Sequence, residues 1–324
     1  MLTVSVVIPV YRAEQTLPDL YRQLSEAMAK ITPVFEIIFV EDGGGDGSWA
    51  IIASLAQMDH RVRGIRMSRN YGQHNALLCG IRAAQHGIIV TMDDDLQHPV
   101  SEIVPMLEAL TPEYDVVYGA PQEEQHGLLR DLASRMTKMA LSGAMGAETA
   151  RNASAFRAFR TRLRDGFRDY RSPSVSIDVL LTWSTTRFTA IKVRHAPRTK
   201  GVSGYTPGKL IRHAFNLMTG FSTLPLQIAS IVGFFFVFFG LSVLVFVLAN
   251  YIIRGGSVPG FTFLASVIAI FSGAQLFALG IFGEYLARMH FRSMDRPAYL
   301  VGETAALSES DTAVAESVSR PIAS

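Results

Sequence analysis

The first two hundred residues alternate between short apolar runs of strand length and stretches whose apolar side chains recur at helical spacing. Leu17, Leu20, Leu24 and Met28 show the helical spacing, directly after the first apolar run. Strands that alternate with helices along a chain predict an α/β fold with a doubly wound, mainly parallel sheet. The predicted strands are residues 3–10, 35–40, 62–67, 87–90, 114–118, 153–159 and 188–193.

The pattern changes near the C-terminus, where two long apolar runs carry no charged residue. They cover residues 228–253 and 261–282, and each is longer than the roughly 20 residues that cross about 30 Å of hydrocarbon. We predict two transmembrane helices joined as a hairpin. The alternative is a pair of buried helices in a large core, but soluble cores rarely need two consecutive runs of this length. The positive mean hydropathy of +0.24 comes from these runs, because the preceding residues resemble a soluble domain.

The rest of the chain is divided around this hairpin. We predict a cytoplasmic domain at residues 1–206, an amphipathic helix in the headgroup layer at 207–227, a juxtamembrane segment at 283–301 and a disordered tail at 302–324. The turn of the hairpin contains only Arg254, whereas basic residues flank its outer ends, so both termini are expected in the cytoplasm. These flanking residues are Lys209, Arg212, Arg288, Arg292 and Arg296.

Charge and cysteine content exclude several classes of protein. A formal net charge of +2 with a pI of about 8.7 is too mild to indicate a nucleic-acid-binding protein. Cys79 is the only cysteine, so a disulfide framework is excluded, as is usual in a reducing compartment. Its apolar neighbours predict a small buried side chain rather than a nucleophile. The strand-like N-terminus has none of the features of a signal peptide.

Three consecutive carboxylates, Asp93, Asp94 and Asp95, follow the apolar run at residues 87–90. They therefore arrive together at the carboxyl end of a buried strand, which is where open α/β sheets bind ligands. Adjacent carboxylates repel each other unless they share a cation. Oxygen ligands suit Mg²⁺ or Mn²⁺, and these ions suit a diphosphate substrate. The alternative is an acidic turn that is only solvated.

Two further loops follow predicted strands. The cluster Gly43-Gly44-Gly45-Asp46-Gly47-Ser48 fits a dinucleotide-binding loop poorly, because Ser48 stands at the third glycine position and two aspartates would face a pyrophosphate. Asp42 instead has the position to accept hydrogen bonds from a nucleobase or a ribose, with loop capping as the alternative. Arg69 precedes a helix and would balance a diphosphate there, unless it is an ordinary surface arginine. The histidines show no zinc-binding spacing and are expected to be structural.

Arginines are frequent between residues 130 and 164. Arg160, Arg162 and Arg164 are best explained as solvated helix faces. Better candidates for binding the phosphate of a lipid substrate are Arg130, Arg135, Arg157, Arg198 and Lys200. Asp178 is a candidate general base, with a role at the start of a helix as the alternative.

The order of these segments resembles family 2 glycosyltransferases of the polyprenyl-phosphate type, which include dolichol-phosphate mannose synthases and bacterial polyprenyl-phosphate glucosyltransferases. The similarity extends to about Val301, and the order of the motifs is more specific than any single one. The segments that carry it are Ser5-Val6-Val7-Ile8-Pro9-Val10-Tyr11, the Asp42 loop, Arg69-Asn70-Tyr71-Gly72-Gln73-His74, Asp93-Asp94-Asp95-Leu96-Gln97-His98-Pro99, Gly283-Glu284-Tyr285-Leu286 and Arg296-Pro297-Ala298-Tyr299.

This resemblance implies a GT-A fold and an inverting transfer of a sugar from a nucleotide-sugar donor, with uracil as the favoured base, to polyprenyl phosphate. It also implies location in the bacterial inner membrane and assembly into a homo-oligomer, with a tetramer expected. A Mg²⁺ or Mn²⁺ ion would be held by Asp93, Asp95 and Gln97. The donor-binding residues would be Pro9, Tyr11, Glu14, Asp42, Arg69 and Asp94. The catalytic residues would be Asp93, Asp95 and the acceptor-phosphate ligands Arg135 and Arg157.

The sequence departs from the family pattern at three places. Arg12 replaces the usual Asn after Tyr11, and Glu41-Asp42-Gly43-Gly44 replaces Asp-Asp-Gly-Ser. Ser203-Gly204-Tyr205 stands where Ser-Lys-Tyr is common, so one cation expected near the acceptor is missing. Lys200 is a candidate substitute for it.

Two rival functions share some of these features. A processive polysaccharide synthase would have the same sheet and aspartates, but it carries a Gln-x-x-Arg-Trp motif, and neither Trp49 nor Trp183 has that context. A non-enzymatic membrane anchor or small carrier with a nucleotide-binding domain is the second rival. Two membrane helices are few for a transport pathway.

Overall fold

The computed structural model describes residues 1–121, 152–172, 175–194, 224–254 and 260–305. The strands are β1 (Val4–Val10), β2 (Phe35–Glu41), β3 (Val62–Met67), β4 (Ile88–Thr91), β5 (Val116–Pro121), β6 (Arg157–Arg160), β7 (Phe188–Val193) and β8 (Val301–Ala305). The α-helices are α1 (Leu17–Ile31), α2 (Ser48–Met58), α3 (Gln73–Ala83), α4 (Ile103–Ala109), α5 (Ile177–Ser184), α6 (Leu224–Arg254) and α7 (Phe261–Ser293). The two 3₁₀ helices of this part of the chain are Val100–Glu102 and Thr161–Phe167.

The eight strands form one mixed sheet in the order β7-β5-β6-β4-β1-β2-β3-β8. Four pairs are parallel: β1 with β2, β1 with β4, β2 with β3, and β5 with β7. β6 runs antiparallel to both of its neighbours, and β8 runs antiparallel to β3. The chain moves outward from β1 through β2 and β3 and then returns to β4 on the other side of β1. Ligands of open α/β sheets bind at such a reversal of strand order, outside the carboxyl ends of the strands.

Helices cover both faces of this sheet, which explains the continuous apolar runs in its centre. Every residue of β1 and β2 is buried, as expected for strands with helices on both sides. Val6 and Ile8 pack into one core cluster and Val7 into the other. The helix α3 lies so close to β1 that a Cβ added to Gly80 would be 2.4 Å from Cγ1 of Val7. The α/β prediction is confirmed.

The predicted strand at residues 62–67 and the one at 188–193 have the observed bounds of β3 and β7. The strands predicted at 114–118 and 153–159 are shifted, because β5 begins at Val116 and β6 begins at Arg157. In both cases the first residues of the predicted strand lie outside the sheet. Among these residues Phe156 is buried in the core without belonging to a strand.

The prediction of a disordered tail from residue 302 is wrong for residues 302–305. These residues form most of β8, which pairs with β3 from Gly64↔Ala305 to Met67↔Val301. The unpaired backbone of an edge strand offers hydrogen bonds to any extended segment, whatever its side chains. The sequence Gly-Glu-Thr-Ala has little apolar pattern, so periodicity did not reveal it. Residues 306–324 lie outside the described part of the chain.

The helices α6 and α7 form an apolar pair. The segments Leu226–Ile253 and Ile270–Ser293 are long and apolar enough to cross a membrane. The ring of Phe271 lies 5.5 Å from that of Phe236 and 6.4 Å from that of Phe239, so the two helices are in contact. Helix α7 extends to Ser293 and therefore includes the first part of the predicted juxtamembrane segment. These are the two apolar helices of the predicted hairpin.

The amphipathic helix predicted at 207–227 falls mainly outside the described residues. Only its last four residues are described, and they belong to α6. The division of the chain at 206 and the headgroup location of this segment stay predictions.

Candidate active site

Parallel pairing of β1, β2 and β4 brings three loops to one edge of the sheet. In this register Val10 pairs with Glu41, and Val7 pairs with Thr91. The residues that follow these strands, among them Tyr11, Asp42 and Asp93, therefore lie at the same edge. This is the edge at which the sequence predicted a ligand site.

Asp42 holds the loop that begins after β3. Its carboxylate accepts hydrogen bonds from the backbone N–H groups of Tyr71, at 2.7 Å, and Gly72, at 2.8 Å. The side chain is 3% exposed. Burial raises the pKa of Asp42 above its usual range, although the two backbone hydrogen bonds oppose this shift. Asp42 thus caps the loop after β3, which is one of the two roles considered from the sequence. Each of its oxygens keeps a lone pair for a ligand. Contact with a nucleoside stays a prediction.

The three aspartates after β4 each have a different hydrogen-bond partner. Oδ1 of Asp93 accepts a hydrogen bond from the side-chain amide of Gln73 at 2.6 Å. Oδ2 of Asp94 accepts one from the backbone N–H of Tyr11 at 3.0 Å, and Oδ1 of Asp95 accepts one from the backbone N–H of Gln97 at 3.1 Å. Asp94 therefore ties this loop to the loop after β1.

Burial, together with the charges of Asp93 and Asp95, raises the pKa of Asp94 to about 7, although the hydrogen bond from Tyr11 opposes the shift. Three carboxylates are thus crowded in a place where their charges are poorly screened. Such a group favours a cation or a proton.

The side chains fit a divalent cation only in part. Within the described ranges, no group of three or more His, Cys, Asp or Glu side chains is arranged to hold a metal ion. Asp95 is 8% exposed, so it offers a narrow face to the site. Mg²⁺ usually takes one or two carboxylates and completes its shell with substrate phosphates and water. The oxygen donors here fit such an ion, held together with a donor diphosphate, and Gln97 as a third ligand stays a prediction.

The loops after β1 and β2 are bound to each other. Oε2 of Glu14 accepts a hydrogen bond from the backbone N–H of Gly47 at 2.8 Å, and Nε of Arg12 donates to the carbonyl of Gly44 at 3.1 Å. Arg12 has a φ of 55°, a left-handed conformation that Asn adopts more readily than Arg. Pro9 is buried opposite Val40 within the sheet. Glu14 and Pro9 thus shape this edge, and their contact with a nucleoside is untested.

Exposed side chains line the outer part of the same edge. Tyr11 is 47% exposed, and the guanidinium of Arg12 lies 5.3 Å from the centre of its ring. Arg69 is exposed, and its guanidinium lies 4.5 Å from the centre of the Tyr71 ring. An exposed tyrosine ring can stack on a nucleobase, and an exposed guanidinium can bind a diphosphate. Tyr11 and Arg69 therefore remain candidates for these two contacts.

Arg157 occupies a different place from the one that the resemblance implied. It is 1% exposed, its guanidinium pairs with Asp178 at 3.0 Å, and it donates to the hydroxyl of Thr91 at 3.3 Å. Tyr118 donates a second hydrogen bond to Asp178 at 3.1 Å. A direct phosphate ligand needs exposed N–H groups, so we correct this prediction: Arg157 neutralises Asp178 beneath the aspartate strand. Asp178 is equally unsuited as a general base, because its charge is already paired.

The other predicted acceptor ligands lie outside the described residues. These are Arg130, Arg135, Arg198 and Lys200, and Gly204 lies there too. Their part in phosphate binding stays a prediction.

Sequence reasoning missed several residues of this edge. Gln73, which contacts Asp93, lies in the segment Arg69 to His74, whose sequence gives no sign of this role. Glu41 is 2% exposed and accepts a hydrogen bond from the backbone N–H of Gly44 at 2.5 Å, so it supports the glycine loop. Its position next to Asp42 was the available signal. The ring of His98 packs 5.0 Å from that of Phe156, and Nδ1 of His74 accepts a hydrogen bond from the backbone N–H of Ile177 at 3.3 Å. These contacts agree with the structural role expected for the histidines, which stays a prediction.

The sheet and its acidic edge are those of a sugar-transferring enzyme, and the chain belongs to glycosyl transferase family 2, whose model matches residues 5–170. It is a glycosyltransferase with a GT-A fold.

Curated relatives match nearly the whole chain. An undecaprenyl-phosphate 4-deoxy-4-formamido-L-arabinose transferase of Yersinia pestis is 34% identical over 302 residues, which cover 92% of each chain. The enzyme of the same name from Pseudomonas aeruginosa is 33% identical and covers 92% of this chain and 89% of its own. Among solved structures, glucosyl-3-phosphoglycerate synthase of Mycobacterium tuberculosis matches 67% of this chain and 76% of its own with a TM-score of 0.49 and 16% identity.

Proposed function

We propose that this protein transfers a sugar from a nucleotide-diphosphate sugar to a polyprenyl phosphate at the cytoplasmic face of a bacterial inner membrane. The names of the curated relatives support undecaprenyl phosphate as the acceptor and an aminoarabinose derivative as one candidate sugar. The observation that carries the proposal is the convergence of Asp42 and the Asp93 to Asp95 cluster at one sheet edge, in a chain that also has two apolar helices of membrane-spanning length.

The donor would bind with its nucleoside at the loops after β1 and β2. Asp42 has oxygen lone pairs available to the base or the ribose, and Tyr11 offers an exposed ring for stacking. Arg69 would neutralise part of the diphosphate, aided by its position just before the start of α3. Uracil is the base that the family resemblance favours.

Asp93 and Asp95, with Gln97, would hold a Mg²⁺ or Mn²⁺ ion in this site. When bound, such an ion supplies Lewis-acid stabilisation of the charge that develops on the departing nucleoside diphosphate. Asp94 keeps the aspartate loop against the loop after β1 through its hydrogen bond with Tyr11. Gln73 holds Asp93 in place from the start of α3.

The acceptor needs no general base in this scheme. A phosphate monoester has a second pKa of about 6, so the oxygen that attacks the anomeric carbon is ionised at neutral pH. The ion pair of Asp178, the one base candidate from the sequence, with Arg157 supports a scheme without a general base. Attack from the face opposite the leaving group inverts the anomeric centre. Arg135 and the cations at 198 and 200 remain candidates for binding the acceptor phosphate.

The apolar helices would place this chemistry beside the bilayer. An acceptor with a long isoprenoid chain stays in the membrane, so a tethered domain meets it at the inner leaflet. The basic residues that flank the hairpin support a cytoplasmic domain by the positive-inside rule. Assembly into a homo-oligomer is a prediction of the resemblance, which cross-linking in native membranes would test.

The experiment is the substitution Asp95→Asn in the full-length protein, purified in detergent. We expect transfer of radiolabelled sugar to undecaprenyl phosphate to fall by about 100-fold or more, since stabilisation of developing charge commonly contributes that much. Binding of the nucleotide alone, measured by calorimetry, is expected to persist. The exposed Asp169→Asn is the matched control and is expected to keep full transfer.

A panel of nucleotide sugars assayed with the wild-type protein identifies the donor in the same experiment. Turnover by Asp95→Asn equal to that of Asp169→Asn would remove the metal role assigned to Asp95. Absence of lipid-linked product with every nucleotide sugar, from a protein that binds nucleotide, would contradict the proposed acceptor.

A further inference from the structure

The chain that leaves the membrane helix α7 returns to the catalytic domain. We name residues 294–305 the C-terminal clasp. Ala298 and Tyr299 in this clasp are 4% and 7% exposed and pack in the core cluster that covers the α3 face of the sheet. The Tyr299 side chain lies beside the Cys79 thiol, and the guanidinium of Arg82 lies 5.7 Å from the centre of the Tyr299 ring. The clasp is therefore anchored in the core, although it follows a helix of membrane-spanning length.

From this anchor the clasp runs along the edge of β3 and meets the loop that follows β3. The backbone N–H of Ser68 donates to the carbonyl of Leu300 at 2.9 Å. A Cβ added to Gly302 would lie 3.4 Å from Cα of Ser68, so the two backbones are in close contact. The register shifts between Arg66 and Met67. Such an irregularity turns the end of a strand, and here it directs the following loop.

The opposite side of this loop is formed by the donor site. Residues 68–72, which we name the Arg69 loop, end at the two N–H groups held by Asp42. A Cβ added to Gly43, which has a φ of 64°, would lie 2.5 Å from the backbone N of Asn70. The Arg69 loop is thus enclosed between the glycine loop after β2 and the clasp. Within the described residues, β8 is the last strand on that side of the sheet.

The Arg69 loop also leads directly into the residue that holds Asp93. Gln73 is the first residue of α3, and its amide donates to Asp93 at 2.6 Å. The side-chain amide of Asn75 donates to the carbonyl of Tyr71 at 2.7 Å and fixes the loop to the helix. A displacement of the loop therefore moves groups on both the Asp42 side and the Asp93 side of the site.

We propose that the C-terminal clasp positions the donor site, with Tyr299 as a positioning residue that acts through the Arg69 loop. The inference rests on the proposed function, because it assumes that the nucleotide sugar binds at Asp42 and Arg69. Loss of the Tyr299 anchor lets the clasp and its Leu300 carbonyl shift, and the loop then samples positions that do not suit the donor. The continuous helix α7 connects this anchor to the membrane hairpin.

The test compares Tyr299→Ala with Leu300→Ala in the full-length protein in lipid nanodiscs. The Leu300 side chain is 48% exposed, and its substitution keeps the backbone carbonyl, so it is the matched control. We expect Tyr299→Ala to raise the KM for the nucleotide sugar by about tenfold, with a smaller change in the KM for polyprenyl phosphate. Hydrogen exchange of the Tyr71 and Gly72 amides is expected to accelerate, while the amides of β1 and β4 keep their protection.

If Tyr299 contributed to stability alone, its substitution would lower the melting temperature. Both KM values of the protein that remains folded would then be unchanged, and so would the hydrogen exchange of its Tyr71 and Gly72 amides. That result would overturn the inference. The milder Tyr299→Phe, which removes only the hydroxyl, covers the case in which the alanine variant fails to fold and is expected to give a smaller change in the same direction.

Failure of the proposed function has a different signature. A wild-type protein without transfer activity would contradict the proposed function, whereas the exchange of the Tyr71 and Gly72 amides still decides whether the clasp holds the loop. Unchanged exchange in both Tyr299 variants rejects the clasp. Faster exchange with an unchanged donor KM in an active enzyme rejects its role in donor binding.

Discussion

The residue with the largest difference between its predicted and its observed environment is Arg157. An arginine in a chain that binds phosphorylated lipid is readily assigned to the phosphate, since guanidinium groups bind phosphate well. Its burial and its ion pair with Asp178 give it a structural role below the aspartate strand. The hydroxyl of Thr91 and the carboxylate of Asp178 decide this role, and they come from β4 and α5, which are distant from Arg157 in sequence.

We predict that Arg157→Met destabilises the protein by about 3–5 kcal/mol, because it leaves the Asp178 carboxylate buried without its cation. The double variant Arg157→Met/Asp178→Leu is expected to regain part of this loss, since both charges are then gone. Thermal unfolding followed by circular dichroism in detergent measures the effect.

The exposed Arg168→Met is the control for loss of one positive charge. A melting temperature of Arg157→Met equal to that of the control would show that the pair contributes nothing to stability. Failure of the double variant to recover would assign the loss to Arg157 packing rather than to the unpaired carboxylate.

At the scale of secondary-structure elements, Asp115 joins the start of β5 to its neighbours. Its carboxylate accepts hydrogen bonds from Arg187 at 2.8 Å, from Arg162 at 2.9 Å and from the Thr185 hydroxyl at 2.8 Å. Arg160 lies 3.4 Å away. Both arginines were expected on solvated helix faces. Arg160 instead ends strand β6, which corrects the expectation for it, whereas Arg162 is exposed on the 3₁₀ helix Thr161–Phe167, as expected. They neutralise a carboxylate that is 3% exposed.

We predict that protonation of Asp115 lowers the free energy of unfolding of the protein in acid. Burial alone would raise its pKa, but the hydrogen bonds from Thr185, Arg187 and Arg162 together lower the pKa to about 2. A carboxyl with a lowered pKa in the folded state stabilises the protein above its unfolded pKa of about 4, and this contribution is lost as pH falls from about 4 to 2. Solvent screens the partly exposed arginines, so we expect the ionised Asp115 to contribute on the order of 1–2 kcal/mol to the free energy of unfolding at neutral pH.

The measurement is urea unfolding of wild type and Asp115→Asn across this range of pH. The wild type should be more stable at neutral pH, and the difference should narrow as pH falls below about 4. A difference that stays constant from neutral pH to pH 2 would show that ionisation of Asp115 does not contribute.

The elements also show where sequence patterns succeed and where they stop. The central strands β1 and β2 are apolar along their whole length because both faces are covered, so periodicity predicted them within one residue. Asp93 to Asp95 were correctly placed after a buried strand, because β4 is also a continuous apolar run. β8 has no such pattern, since its residues are mostly exposed and its pairing depends on the free edge of β3. Backbone hydrogen bonds of an edge strand leave little trace in side-chain type.

At the scale of the whole molecule, the apolar helices dominate the surface. Large apolar side chains along α6 are more than half exposed, among them Phe235 at 65%, Phe239 at 53% and Leu244 at 57%. An apolar surface of this extent requires lipid or another covering partner. The contacts of α6 with α7 leave these side chains more than half exposed, which agrees with a hairpin that faces lipid.

We predict that the full-length protein sediments with bacterial membranes and is released by detergent but not by alkaline carbonate or high salt. The variant that replaces Phe235, Phe239 and Leu244 with arginine is expected to lose this behaviour, since each arginine at a helix centre costs about 3 kcal/mol on insertion. Fractionation followed by immunoblotting measures the partition. Extraction of the wild type by carbonate alone would contradict a membrane-spanning hairpin, and so would unchanged partition of the arginine variant.

The sequence by itself determined the α/β architecture, the position of the aspartates after a buried strand, and the two apolar helices. Each of these is encoded in local patterns of side chains, because burial of a whole strand or helix imposes a period on the chain. Tertiary structure alone decided the pairing of Arg157 with Asp178, the capture of the Arg69 loop by Asp42, and the return of residues 294–305 to the edge of β3. These features depend on single contacts between residues distant in sequence, and such contacts impose no period from which they could be predicted.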